Sequence, residues 1–456
     1  RGRMTSRVLI VSHEAPGHVM SGPAIRYWHL ARVLGETLSV QLAVPGEPSL
    51  AGEGFEMVGY RREDGHPLAT LAAEADVVLL AGFLLYHYPF LKEVARPLAI
   101  DLYDPFVLEN LEIHRDKALE TQAEIHAVNL KVLNEQLRLG DFFICAHETQ
   151  RDFWLGMLTA NERVNPYTVA ADRTLRHLID LTPFGLPEVP PRHRKQVLKG
   201  VYPGIGPEDR VIYWGGGLWE WFDPLTAIRA VVDVAQIHPE VRLFFAGTRH
   251  PNPDVPEMRM CQAARQLSDE LDATGRWVFF NDWVPYQERE NYLLEADVGL
   301  SLHFSHIETR FSFRTRLLDY IWAGLPMVIT SGDTLSRRLG ERGLARTVAP
   351  ADTAAVREAL LELLDQADAR REAAPRFATL QAELSWERVA EPLRAFCRDP
   401  HLAADHQAAP SGEGTEEEKP PLITRAWRAW RERGLGGLLA DVRSYIRWRL
   451  MTRSHG

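Results

Sequence analysis

Short apolar runs alternate along most of the chain with longer stretches in which apolar residues return every three or four positions. The short runs suit strands buried on both faces of a parallel sheet, and the longer period suits amphipathic helices crossing back over it. Strands are predicted at 8–12, 40–44, 77–81, 98–101 and 142–146, and again at 211–214, 242–246, 277–280, 298–302 and 327–330. The alternation therefore predicts an α/β chain of two doubly wound domains. The prolines of 184–191 deny continuation of helix or sheet, which places a linker there and divides 1–188 from 189–385. Ligands of such folds bind at the carboxyl ends of the strands, so the expected site is the cleft between the domains.

From 403 the pattern stops. Residues 403–421 are rich in Gly, Pro and Glu without apolar periodicity and read as a disordered linker. In 422–456 an apolar stripe returns at Leu435, Leu438, Leu439, Val442, Ile446 and Leu450, flanked by Arg443, Arg447, Arg449 and Arg453 and by Trp427, Trp430 and Trp448. This basic amphipathic helical tail is too interrupted by arginine to span a bilayer and is expected to lie on a membrane surface, at the inner leaflet, the alternative being a helix that docks on this protein or on a partner subunit.

Composition narrows the classes. A chain of 456 residues exceeds what one core usually supports. Apolar residues at 45% and charged residues at 25% are ordinary for a soluble protein, and a net charge of −10 argues against a nucleic-acid partner. Cys145, Cys261 and Cys397 lie far apart with no CxxC spacing, which disfavours a disulfide framework or a zinc site and favours a cytoplasmic setting. The apolar run 7–11 is too short for a signal peptide, and no run reaches the roughly 18 residues of a membrane span.

The segment 308–330 carries most of the chemistry. A polar, arginine-bearing turn leads into an amphipathic helix that stops at Ala323-Gly324-Leu325-Pro326 and is followed at once by the apolar strand. Backbone N–H groups at a helix start are unpaired and sit at the positive end of the macrodipole, so with Ser312, Arg314, Thr315 and Arg316 beside them they suit a diphosphate. This combination, with Asp319 opening the helix, resembles the donor-site motif of GT-B glycosyltransferases, especially the retaining glycosyltransferase family 4. The resemblance implies two Rossmann-like domains facing a cleft, and a helix starting near Ser385-Trp386-Glu387, over 386–402, that crosses back to the first domain.

It also implies a function: transfer of a sugar, of the hexosyl type, from a nucleotide-sugar donor to a glycan or lipid-linked acceptor, as in polysaccharide biosynthesis. Retention is expected, with no cofactor and no metal. A nucleotide-sugar epimerase of the same fold and a non-catalytic nucleotide-sugar-binding protein are the alternatives. Asp319 stands where the family binds the nucleotide ribose. The family's upstream Glu is replaced by Phe311, leaving Glu308 as the nearest acid, and Arg316 fits a variant with a basic residue three before the helix acid.

Other candidates follow the strands. Gly215, Gly216 and Gly217 close a strand, where glycine lets backbone approach phosphate. The family's Arg-Lys clamp after that turn is missing, so Arg249, Arg314 and Arg316 are its expected substitutes. Trp283 follows the third strand of the second half, where the family's nucleobase pocket lies. In the first domain the loop 12–23, with Gly22, and Asp104 are expected to face the reacting sugar, although Tyr103 stands where the family often has His. Asp104, Glu308 and Arg316 are thus the expected catalytic residues.

Overall fold

The computed structural model describes residues 5–94, 96–250, 257–366 and 368–408. Its first sheet contains β1 (Arg7–Val11), β2 (Ser39–Pro45), β3 (Glu56–Tyr60), β4 (Val77–Ala81), β5 (Leu98–Asp101), β6 (Phe142–Cys145) and β7 (Ile179–Leu181). The second contains β8 (Arg210–Gly217), β9 (Val241–Gly247), β10 (Val278–Phe280), β11 (Val298–Ser301), β12 (Met327–Thr330) and β13 (Ala345–Val348). Their spatial orders are β3-β2-β1-β4-β5-β6-β7 and β10-β9-β8-β11-β12-β13. Both are doubly wound Rossmann-like sheets, the paired arrangement of GT-B proteins. Strand order reverses between β1 and β4 and between β8 and β11, which opens a crevice at the carboxyl end of each sheet.

Every strand expected from an apolar run is present, and three others, β3, β7 and β13, stand outside those expectations. All three are edge strands. An edge strand keeps water on part of its surface and needs no continuous apolar run: β3 includes exposed Glu56, and β13 includes Arg346 and Thr347. The central β4, buried throughout, shows the opposite case. One strand also runs further than expected, since β8 continues past Trp214 to Gly217 with a register irregularity on the way.

Trp386 joins the two halves. The backbone of Leu186 pairs with that of Leu384 and Trp386, at 2.7 and 3.1 Å, and Gly185 is required because a Cβ there would come 2.6 Å from the Trp386 ring. Trp386 is buried and stacks on His29 of the helix Gly22–Gly35, with centroids 5.2 Å apart. The helix Glu391–Arg398 then places Phe396 on Phe142 of the first sheet, 4.6 Å between centroids.

The expected linker does not begin as disordered chain at 403. Residues Ala404–Ala408 are helical, the Ala403 N–H donates to Asp141 at 2.9 Å, and Asp405 accepts from Arg163 at 2.7 Å. Buried Asp141 and Arg163 need partners, and this segment supplies them. The remainder of the expected linker and the basic tail at 422–456 lie outside the described residues. Among the described residues no helix is long and apolar enough to cross a membrane. The three cysteines are unpaired and buried.

Candidate active site

The helix Thr315–Ala323 forms the centre of the site, and its ends explain its position. Gly324 adopts φ 60°, a left-handed conformation that suits glycine, so that the Leu325 N–H turns back onto the Tyr320 carbonyl at 2.9 Å and the chain enters β12 through Pro326. Tyr320 pins the helix to the sheet. Its hydroxyl accepts from the Gly215 N–H and lies 2.9 Å from the carbonyls of Tyr213 and Leu300. Gly299 makes room for the ring, as a Cβ there would fall 2.7 Å from it. At the other end Arg314 caps the helix without a side-chain hydrogen bond; the Leu317 N–H turns back onto the Arg314 carbonyl at 3.1 Å, and the N–H groups of Thr315 and Arg316, both lining the cavity, have no acceptor among the described residues.

One turn before Tyr320, Arg316 is buried with no acidic partner among the described residues. Its guanidinium lies over Phe222 at 3.8 Å and Trp214 at 4.9 Å, Nη2 donates to the Gly217 carbonyl at 2.7 Å, and Nη1 has no partner. Burial opposes its charge, with Arg314 nearby adding to the effect, and pulls its pKa down to about 9, so it remains a cation at neutral pH. Arg314 differs. It makes a two-pronged pair with Glu308, at 3.0 and 2.7 Å, so both charges are neutralised within the wall.

These residues line a cavity of about 680 Å³ between the sheets. On the second-domain side, exposed Gly216 takes φ 69° and brings bare backbone to the cavity. Gly217 lines it too, whereas the Gly215 N–H is already used by Tyr320. Trp219 stacks on Trp221 at 5.4 Å, and His250 sits edge-on to both Trp219 and Trp283 at 5.6 Å. Trp283 packs against Gly247 and Gly217, where side chains would collide with it or crowd it. Asp319 faces the cavity beside Arg289, 3.4 Å away; burial pushes its carboxyl up against the pull of that arginine. Arg289 in turn lies over Tyr286 and Trp322.

The first-domain wall is acidic. Asp101, at the end of β5, forms a buried pair with Arg26 at 2.6 and 3.0 Å. Asp104 and Glu109 have no side-chain partner among the described residues. Asp104 lines the cavity and is exposed there; desolvation by the surrounding protein, Asp101, Glu14 and Glu308 push its carboxyl up to about 7 despite Arg26. Burial and Asp104 raise Glu109 well above the carboxylate range. Gly22 opens the helix Gly22–Gly35 at the same wall, with open space where a Cβ would stand.

The two walls are tied at 311–313. The carbonyls of Phe311, Ser312 and Phe313, three in succession, accept from Gln150 at 3.0 Å, His147 at 3.2 Å and Tyr103 at 3.1 Å, all first-domain side chains. His147 Nδ1 accepts from the Gln150 N–H at the start of the helix Glu148–Ala160, so the proton resides on Nε2.

Of the residues expected from sequence, Gly22, Asp104, Gly216, Gly217, Trp283, Glu308, Arg314, Thr315, Arg316 and Asp319 line this one cavity. Arg249 does not. Its backbone N–H is held by the Asp282 carbonyl at 3.0 Å just past β9, and its side chain is 81% exposed beside Asp282. Nor are Arg314 and Glu308 a free clamp and a free acid, being each other's partner. Glu109, Trp219 and Arg289 were not anticipated: Glu109 and Arg289 sit on the helices Phe106–Ile113 and Arg289–Glu295, outside the motifs singled out in the sequence, and Trp219 belongs to a turn without periodic pattern. Among the described residues no three His, Cys, Asp or Glu side chains gather to share a metal ion.

No protein-family model matches the chain, and neither does any curated protein. Solved structures do match. An E. coli trehalose-6-phosphate structure bound with UDP-2-fluoro glucose has TM-score 0.61 at 15% identity, covering 87% of this chain and 100% of that one. HepE from Anabaena, in complex with UDP and glucose, has TM-score 0.59 at 10% identity, covering 86% and 98%. Sucrose-phosphate synthase from Thermosynechococcus elongatus has TM-score 0.56 at 14% identity, covering 86% and 98%. At such identities the likeness shows the fold.

Proposed function

We propose that this chain is a glycosyltransferase that takes a sugar, of the hexosyl type, from a nucleoside diphosphate and transfers it with retention to a glycan or lipid-linked acceptor. The observation that carries this reading is Arg316, a buried cation without a carboxylate, with an unpartnered Nη1, at an open helix start in the cleft. A buried unpaired charge is costly, and a diphosphate compensates it. The relatives in fold that hold UDP or a UDP sugar make UDP the nucleotide to try first.

In this reading Arg316, the first-turn N–H groups, Thr315 and the backbone at Gly216 and Gly217 hold the diphosphate. Asp319 accepts from the ribose hydroxyls, and Trp283 and Trp219 flank the base. The acceptor oxygen bonds to the anomeric carbon as the bond from that carbon to the diphosphate oxygen breaks, and the acceptor proton passes to the leaving phosphate. Charge growing on that phosphate is what Arg316 and the helix stabilise. Asp104, across the cleft, orients a sugar hydroxyl. No metal or cofactor has a part in this scheme.

The test is Arg316→Met, which keeps the packing against Phe222 and Trp214 and removes the charge. Losing charge-assisted hydrogen bonds of about 1.5–3 kcal/mol weakens UDP by about tenfold to a hundredfold in titration calorimetry. Thermal stability without ligand holds or rises. Unchanged affinity in a folded variant would remove the diphosphate from this place. A panel of nucleotide sugars then separates transfer or hydrolysis, which frees nucleotide, from epimerisation, which isomerises the donor.

Residues 422–456, with the apolar stripe and arginines described above, are proposed to hold the protein on an anionic membrane surface, bringing the cleft to a lipid-linked acceptor. The full chain is expected to sediment with anionic vesicles at low salt and to release at high salt, and a chain ending at 420 to remain in solution. Vesicle binding that survives the truncation would exclude the tail as anchor.

A further inference from the structure

We infer that the first-domain wall of the cavity binds the ring of an uncharged glycoside, stacked on Phe83 and Phe106 with its hydroxyls on Asp104 and Glu109, and rejects phosphorylated or uronic acid acceptors. The inference rests on the glycosyltransferase reading and names the class of acceptor that this site takes.

Two observations on one wall lead there. The rings of Phe83 and Phe106 both line the cavity, 5.3 Å between centroids and half-buried, and Phe83 continues through Tyr86, at 6.4 Å, to the surface, where Tyr86 is 46% exposed. An aromatic face that runs from a polar cavity to water suits the C–H face of a sugar, which is apolar while its edge carries hydroxyls. Beside it, Asp104 and Glu109 line the cavity as acceptors with no side-chain partner among the described residues. A hydroxyl suits both acids, because it can donate to a carboxyl oxygen and accept from a carboxyl O–H.

The charge of the wall settles which sugars fit. Arg26 is neutralised by Asp101 and Arg314 by Glu308. His13, which also lines the cavity, has its pKa lowered by desolvation. Arg316, the unpaired cation, lies on the opposite wall, where the diphosphate belongs. A phosphate or carboxylate on the acceptor therefore meets no unpaired arginine or lysine on this wall among the described residues, and it adds a negative charge beside two acids whose own ionisation their surroundings already oppose.

The test uses the full-length protein, saturated with UDP, on an array carrying neutral glycans and glycans ending in sugar phosphates or uronic acids; UDP binding is measured separately by calorimetry. Neutral glycans are expected to retain the protein and the anionic ones not. Glu109→Gln and Phe106→Ala are each expected to lower retention by about tenfold with UDP affinity within about twofold of the parent. Since Phe106→Ala removes packing, Glu109→Gln, which conserves shape, is the deciding variant. Retention by the anionic glycans, retention unaffected by Glu109→Gln, or UDP binding with no glycan retained would each overturn the acceptor assignment. Absence of UDP binding would instead overturn the donor reading beneath it.

Discussion

Asp104 shows how one residue's surroundings set its behaviour. Its carboxyl is pushed up to about 7 because desolvation in the cleft and the neighbouring acids oppose the charge. If the ionised form orients the acceptor, kcat/KM for the acceptor rises with pH through about 7, and Asp104→Asn removes that limb while lowering turnover more than UDP affinity. A pH profile that keeps the limb in the variant would assign it elsewhere. Stability carries the opposite sign. A carboxyl whose folded pKa lies above its unfolded value loses stability as pH rises from about 4 to about 7, so Asp104→Asn is expected to raise the melting temperature more at pH 8 than at pH 5. In sequence, the position of Asp104 just after a strand marked it, and so did that of Arg316 at a helix start. What sequence could not give was pairing. Whether an arginine is free or neutralised depends on Glu308 being within reach of Arg314 and not of Arg316, which is a matter of packing.

At the scale of elements, buried strands announced themselves and three of the four edge strands did not, because burial on both faces leaves a continuous apolar run; the fourth edge strand, β10, is itself an apolar run. The helix ends were legible where they rest on local chemistry, as at Ala323-Gly324-Leu325-Pro326. The junction between the helix Gly22–Gly35 and the helix Trp386–Val389 is tertiary and carries a consequence in pH. His29 lies between the Trp386 ring and the Tyr286 hydroxyl, 2.7 Å away, and burial lowers its pKa to about 3. The unfolded chain takes up this proton below about pH 6.5 and the folded chain does not until about 3, so acid favours unfolding. Going from pH 7 to pH 5 is expected to cost about 2 kcal/mol through this group, a loss that His29→Gln removes in denaturant titrations at the two pH values. Trp386→Ala, which empties the junction, is expected to cost about 3–5 kcal/mol at either pH.

For the molecule as a whole, two domains with a cleft between them followed from alternation and length, while the return of 403–408 to the first domain did not, since polar Asp405 and His406 read as linker until Asp141 and Arg163 are seen to need them. A chain ending at 408 is therefore expected to melt with the full chain, and one ending at 402 several degrees lower, because the cut removes the carboxylate that pairs with buried Arg163 and two of the groups bonded to buried Asp141. Equal melting of the two shortened chains would make those contacts dispensable. The three successive carbonyls of 311–313 have a larger reach. They shape the turn that aims Arg316, and their partners all belong to the other half of the molecule. Drawing the halves apart strips that turn of its supports, so on the function proposed above an opened protein is expected to grip a diphosphate less tightly than a shut one. By reciprocity, the ligand must favour the shut form by the same factor: affinity for the nucleotide and the equilibrium between open and shut are a single quantity measured in two ways.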